Sequence, residues 1–134
     1  MKTALFIIIS FLVFHSTLSA QIQFLENVPF AEVLKKAKQE NKLIFVDCYT
    51  TWCVPCKSLA SNIFTDQTLG DRYNELFINY KLDMEKGDGI ELSKSFKIEG
   101  FPTLLWLDST GEIVHRTVGL NTVNFFLNTI ELVQ

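Results

Sequence analysis

The chain has 134 residues, of which 48% are apolar and 13% aromatic, with Phe alone occurring 12 times, so one domain with a substantial core is expected. Its net charge is −3, from 12 basic and 15 acidic residues. That balance excludes the strongly basic surfaces that hold nucleic acid or anionic membranes, and no repeat or low-complexity stretch is present.

Residues 1–20 read as a signal peptide. Lys2 supplies the positive start, Ala4 to Phe14 an apolar run interrupted only by Ser10, and His15 to Ala20 a small, polar end with cleavage after Ala20. The run is short for a membrane span. The alternative is an uncleaved anchor, which Leu18, at the third position before the cut, favours. Loss of Lys2 lowers the basic count from 12 to 11 against 15 acidic residues, leaving −4. Residues 21–134 are then one exported domain, periplasmic or, as the alternative, secreted.

Ile22-Gln23-Phe24 reads as a short edge strand. Pro29 to Glu40 reads as a helix with Phe30, Val33, Leu34 and Ala37 on one face. Leu43–Tyr49 reads as a buried strand. A helix is expected over Val54–Ile63 and another around Asp66–Asn74, with Asp66 as its cap. Phe77–Asp83 reads as a strand and Glu91–Phe96 as a short helix. Strands Thr103–Leu107 and Ile113–Val118 are joined by the hairpin signal Asp108-Ser109-Thr110-Gly111. A last helix starts near Asn121 and buries Val123, Phe126, Leu127 and Ile130. This order predicts an α/β fold: a mixed central β-sheet flanked by helices on both faces.

The chemistry lies in Trp52-Cys53-Val54-Pro55-Cys56-Lys57, a C-x-x-C pair where a strand passes into a helix. A helix N-terminus carries unpaired N–H groups and about half a positive charge. Cys53 is expected there, with Lys57 adding charge, so its thiolate is favoured and its pKa falls towards ~7. Cys56, three residues on, shares the face of the first turn and is expected to be more buried and less acidic. Cys53 would attack a target disulfide and Cys56 would resolve the mixed disulfide. Pro55 suits a first helical turn. A structural disulfide or half a zinc site are the alternatives, but three cysteines and two histidines, one in the removable segment, leave zinc short of ligands unless Cys48 faces the same site. Cys48 reads instead as a small buried hydrophobe. No metal and no cofactor are expected.

With Asp47 six residues before Cys53, Lys81 in the next strand and Gly100-Phe101-Pro102-Thr103 before a third, the chain resembles the thioredoxin family from about Phe30 onward. Ala31, Lys35-Lys36-Ala37, Asn41-Lys42 and the later Leu107-Asp108…Gly111-Glu112 resemble its exported branch, which includes the C-terminal periplasmic domain of the thiol reductase DsbD. The resemblance implies a thioredoxin fold and a thiol–disulfide oxidoreductase. It implies that Pro102 is a cis proline facing the cysteines, where composition alone reads an edge-strand or turn proline. It implies that Phe101 lends its backbone to an extended substrate, with Trp52, Val54 and Pro55 also in the substrate-binding surface. Asp47 would be a buried proton acceptor for Cys56, moderated by Lys81; the alternatives are a strand-end residue facing water for Asp47 and a solvated strand residue for Lys81. Val54 departs from the glycine most thioredoxins place between the cysteines. Proline before the second cysteine resembles the reducing end of the family.

The expected partners are disulfide-containing client proteins. A reductant in an oxidising compartment is spent after one turnover, so a membrane-embedded thiol reductase is expected as electron donor. A monomer with no nucleic-acid partner is expected. The competing readings are a client-binding, chaperone-like module of the same fold, and an oxidase or isomerase.

Overall fold

The computed structural model describes residues 21–134. The expected signal peptide, residues 1–20, lies outside the described residues. Strands β1 (Leu43–Tyr49), β2 (Phe77–Asp83), β3 (Thr103–Leu107) and β4 (Ile113–Val118) form one mixed sheet in the order β2-β1-β3-β4. β1 runs parallel to β2 and antiparallel to β3, and β3 and β4 form an antiparallel hairpin. The strand bounds match those expected from sequence. β1 is central and covered on both faces, which is why it reads as an unbroken apolar run.

Alternation along β1 serves two cores. Ile44, Val46 and Cys48 pack with Val33 and Ala37 of α1 (Phe30–Glu40) and with Phe96 at the end of α4 (Asp88–Ser95). Phe45 points the other way, into a cluster with Leu59, with Leu69 and Tyr73 of α3 (Gln67–Leu76), and with Phe126 and Ile130 of α5 (Val123–Val133). Its ring lies 4.9 Å from that of Tyr73 and 5.0 Å from that of Trp106. Asp47 follows Phe45 on this second face, and Cys48 stays on the first.

Helix entries follow local chemistry. Asp66 Oδ1 accepts the Leu69 N–H at 2.9 Å to open α3, and Thr122 Oγ1 accepts the Phe125 N–H at 3.2 Å to open α5. Pro29 precedes α1 and gives it no side-chain cap. Asp88, the first residue of α4, does so from a distance, accepting the Phe30 N–H at 2.7 Å.

Three elements differ from expectation. The edge strand at 22–24 is reduced to one bridge, Leu25 with Tyr80. Ile22 is drawn into the core and its N–H bonds Phe64 O at 2.9 Å, which pulls the chain off the β2 ladder. The helix expected over Val54–Ile63 is α2 (Val54–Ser58) followed by a π-helical turn, Leu59–Ile63. The wider turn puts Leu59 and Phe64, five residues apart, on one buried face. α4 starts at Asp88 rather than Glu91, because Gly87 before it and Gly89 in its first turn form its entry. Gly87 has φ +51°, and Gly89 packs so closely on Asp83 and Met84 that a Cβ would overlap the Asp83 carbonyl.

Candidate active site

β1 delivers the chain to the end of the sheet at Tyr49. Thr50 to Cys53 form a turn closed by the Cys53 N–H bonding Thr50 O at 3.3 Å. Cys53 is the N-cap of α2, with extended φ −75° and ψ 109°, and Pro55 stands in the first turn, where its missing N–H leaves no gap. Cys53 Sγ accepts the Cys56 N–H at 3.2 Å. The two cysteines are joined in a disulfide with their Cα atoms 5.3 Å apart.

The expected difference in burial between the cysteines is not present in this disulfide state: Cys53 is 3% exposed and Cys56 4%. Cys53 Sγ is folded back over the first turn, towards the Cys56 amide, instead of being presented outward. The residues around it are open. Trp52 is 62% and Val54 73% exposed, and Pro55 and Lys57 are also exposed.

Trp52 leans edge-to-face on Phe101, with ring centroids 5.8 Å apart, and its indole N–H donates to Glu85 Oε1 at 3.1 Å. The Phe101–Pro102 bond is cis. Its loop is fixed by Thr103 Oγ1 donating to Gly100 O at 2.7 Å and by the Gly119 N–H donating to Pro102 O at 2.8 Å. Phe101 is half-buried and Pro102 buried. Trp52 and Phe101 are thus in contact, and Trp52, Val54 and Pro55 stand exposed in the segment that carries the two cysteines.

Asp47 is 1% exposed, and neither of its oxygens has a hydrogen-bond partner. Burial pushes its carboxyl up to about 7; the Lys81 charge opposes this rise and Glu26 adds to it. Lys81 stands opposite Asp47 in the parallel β1–β2 register. Its ammonium nevertheless sits over the Tyr49 ring, 4.9 Å from the centroid. A recess of about 190 Å³ is lined by Tyr49, Thr50, Thr51, Cys56, Lys57, Ala60 and Lys81, so Lys81 and Cys56 share one space.

Cys48 faces the opposite core, and burial, with help from Asp47, holds its thiol far above the ordinary range. It cannot complete a zinc site with Cys53 and Cys56, and no group of three or more metal-ligating side chains occurs among the described residues. Sequence reasoning missed two members of this neighbourhood. Tyr49 was legible in principle, since it lies two residues beyond Asp47 and so on the same strand face. Glu85 carries no local signal, because its partner Trp52 is 33 residues away.

A family model described as a thioredoxin-like domain matches residues 30–134. Thioredoxin H4 of Arabidopsis thaliana is 36% identical over 88 residues, which is 66% of this chain and 69% of that protein. The thiol:disulfide interchange protein DsbD of Actinobacillus pleuropneumoniae is 31% identical over 125 residues, 85% of this chain, but the match spans only 21% of that larger protein. Among solved structures, that of a candidate disulphide-isomerase from Bacteroides thetaiotaomicron is 46% identical with a TM-score of 0.75, covering 84% of this chain and 92% of that one.

Proposed function

Because the chain belongs to the thioredoxin-like family of thiol–disulfide oxidoreductases, we propose that it is an exported reductase of protein disulfides. The observation that carries this reading is the Cys53–Cys56 disulfide at a helix entry, supported by a buried carboxylate with no hydrogen-bond partner, Asp47, on the strand that leads into it. After reduction, the helix end and the Cys56 amide that Cys53 Sγ already accepts favour a thiolate at Cys53.

In the proposed cycle the Cys53 thiolate attacks one sulfur of a client disulfide. A mixed disulfide forms and the client's other sulfur leaves as a thiolate. Asp47, its carboxyl raised to about 7, takes the proton of Cys56. Cys56 then attacks Cys53 Sγ, closing the Cys53–Cys56 disulfide and releasing the client's second thiol. Two electrons have moved from the dithiol to the client. Lys81 moderates the charge on Asp47. The client lies as an extended segment along the Phe101–Pro102 backbone, with its flanking side chains on Trp52, Val54 and Pro55. The closed disulfide must then be reduced again, and a membrane-embedded thiol reductase is the proposed donor. The signal-peptide pattern of residues 1–20 and the likeness to part of a DsbD protein support export.

Insulin reduction with dithiothreitol tests the reading: the wild type accelerates precipitation and Cys53→Ser does not. Equal rates with and without the protein would contradict it. The likeness to a candidate disulphide-isomerase supports isomerisation as a second reading. Equilibration with glutathione separates the two, since a reductase lies near ~−270 mV and an isomerase near ~−180 mV.

A further inference from the structure

Asp47 and Tyr49 lie two residues apart on the same face of β1, and Lys81 stands opposite Asp47 on the neighbouring β2. The Lys81 side chain can therefore reach either the carboxylate or the ring. It is placed over the ring, with Nζ 4.9 Å from the centroid, within the range of a cation–π contact. No ion pair within 4.0 Å joins it to Asp47, and both Asp47 oxygens lack partners. The strand end that carries the ring is fixed, because the Tyr49 backbone carbonyl accepts the Met84 N–H at 2.9 Å. Burial and the nearby acids raise the Tyr49 hydroxyl above its ordinary range, so the ring is the neutral phenol at working pH.

Lys81 also lines two further recesses, one of about 410 Å³ with Glu26, Tyr49, Asp83 and Asp88, and one of about 380 Å³ with Glu26, Phe24 and Phe64. Its position thus divides the outer spaces from the one that holds Cys56. The charged and titratable groups that act with Asp47 are Lys81 from β2, Glu26 from the segment before α1, and Cys48 and Tyr49 from β1 itself. β3 presents only Leu104 opposite it.

We propose that Tyr49 is a positioning residue: its ring holds the Lys81 ammonium away from the Asp47 carboxylate, which leaves Asp47 free to exchange a proton with Cys56. Without the ring, the ammonium would settle on the carboxylate and fix it as an anion. This rests on the reading of Asp47 as the proton acceptor of the exchange cycle. It goes beyond that reading by assigning the residue that sets the acceptor.

The test is a carbon-13 NMR titration of the Asp47 carboxyl in the oxidised full chain, so no turnover is involved and a failed insulin assay does not bear on it. Tyr49→Leu is expected to lower the midpoint by about one pH unit, tenfold in proton affinity, and Tyr49→Phe to leave it unchanged. In a Lys81→Met background, Tyr49→Leu is expected to shift nothing, because the ring has no ammonium to hold. An unchanged midpoint in Tyr49→Leu, or the same drop in the Lys81→Met background, would overturn the proposal; the latter would mean that the ring acts only by covering the carboxyl. Should Tyr49→Leu not fold, Tyr49→Met is read against the same two outcomes.

Discussion

The indole N–H of Trp52 donates to the carboxylate of Glu85 at 3.1 Å, tying the residue before the first cysteine to the loop that follows β2. The same ring stands on Phe101 beside the cis proline. One exposed side chain thus links the segment before Cys53, the loop after β2 and the loop of the cis proline, which together form the proposed client-binding surface.

Glu85→Ala releases Trp52 without touching either sulfur. We expect about a threefold fall in kcat/KM for insulin reduction, equivalent to roughly 0.7 kcal/mol, with little change in thermal stability because both groups are exposed. Steady-state assays beside a melting curve check this. An unchanged kcat/KM would show that the hydrogen bond does not shape the docking surface.

Asp47 makes stability depend on pH. Its carboxyl is raised from 3.8 to about 7 in the folded protein, so between those values the folded state holds a proton that the unfolded state has lost. Stability from this group is therefore full below about pH 4, falls as pH rises, and levels off above about pH 7. The shift corresponds to on the order of 4 kcal/mol. Asp47→Asn removes the dependence. The variant should gain on the wild type as pH rises, by several kcal/mol between pH 4 and pH 8.5 in urea unfolding of the oxidised protein. Parallel stability curves across that range would contradict the buried-acid assignment.

Gly89 admits the start of α4 against the backbone of Asp83 and Met84, where a Cβ would lie 2.9 Å from Met84 Cα. The obstacle is main chain at the end of β2, which cannot rotate aside. Gly89→Ala should cost about 1–3 kcal/mol, the range for overpacking, and should displace the loop that carries Glu85. Urea unfolding measures the first effect and Trp52 fluorescence the second. A fully stable variant would contradict the close packing.

Much of this arrangement was written locally. The four strands were legible because each is an apolar, β-branched or aromatic run bounded by turn residues, and the Cys53–Cys56 pair announced its helix entry through Pro55. The π-turn at Leu59–Ile63 was not, because an extra residue in a helix alters no composition and shows only when Leu59 and Phe64 are seen on one face. The edge strand at 22–24 failed because Ile22 finds a partner in Phe64 O, a contact no local pattern encodes. Asp47 and Lys81 were named from family resemblance; the register sets them opposite each other on neighbouring strands. The placing of the Lys81 ammonium on Tyr49 was missed, since a lysine opposite an aspartate suggests an ion pair until the third side chain is considered. The cis bond at Pro102 likewise came from resemblance, where composition favoured an ordinary turn.

The central claim, that Cys53 leads the exchange as a stabilised thiolate, is tested most directly by alkylating the fully reduced protein with iodoacetamide across a pH series and reading each cysteine by mass spectrometry. The account predicts that Cys53 is modified first, with a midpoint well below the ~8.5 of an ordinary thiol, while Cys56 lags and Cys48 is untouched. Equal modification of Cys53 and Cys56, with a midpoint near that ordinary value, would contradict it.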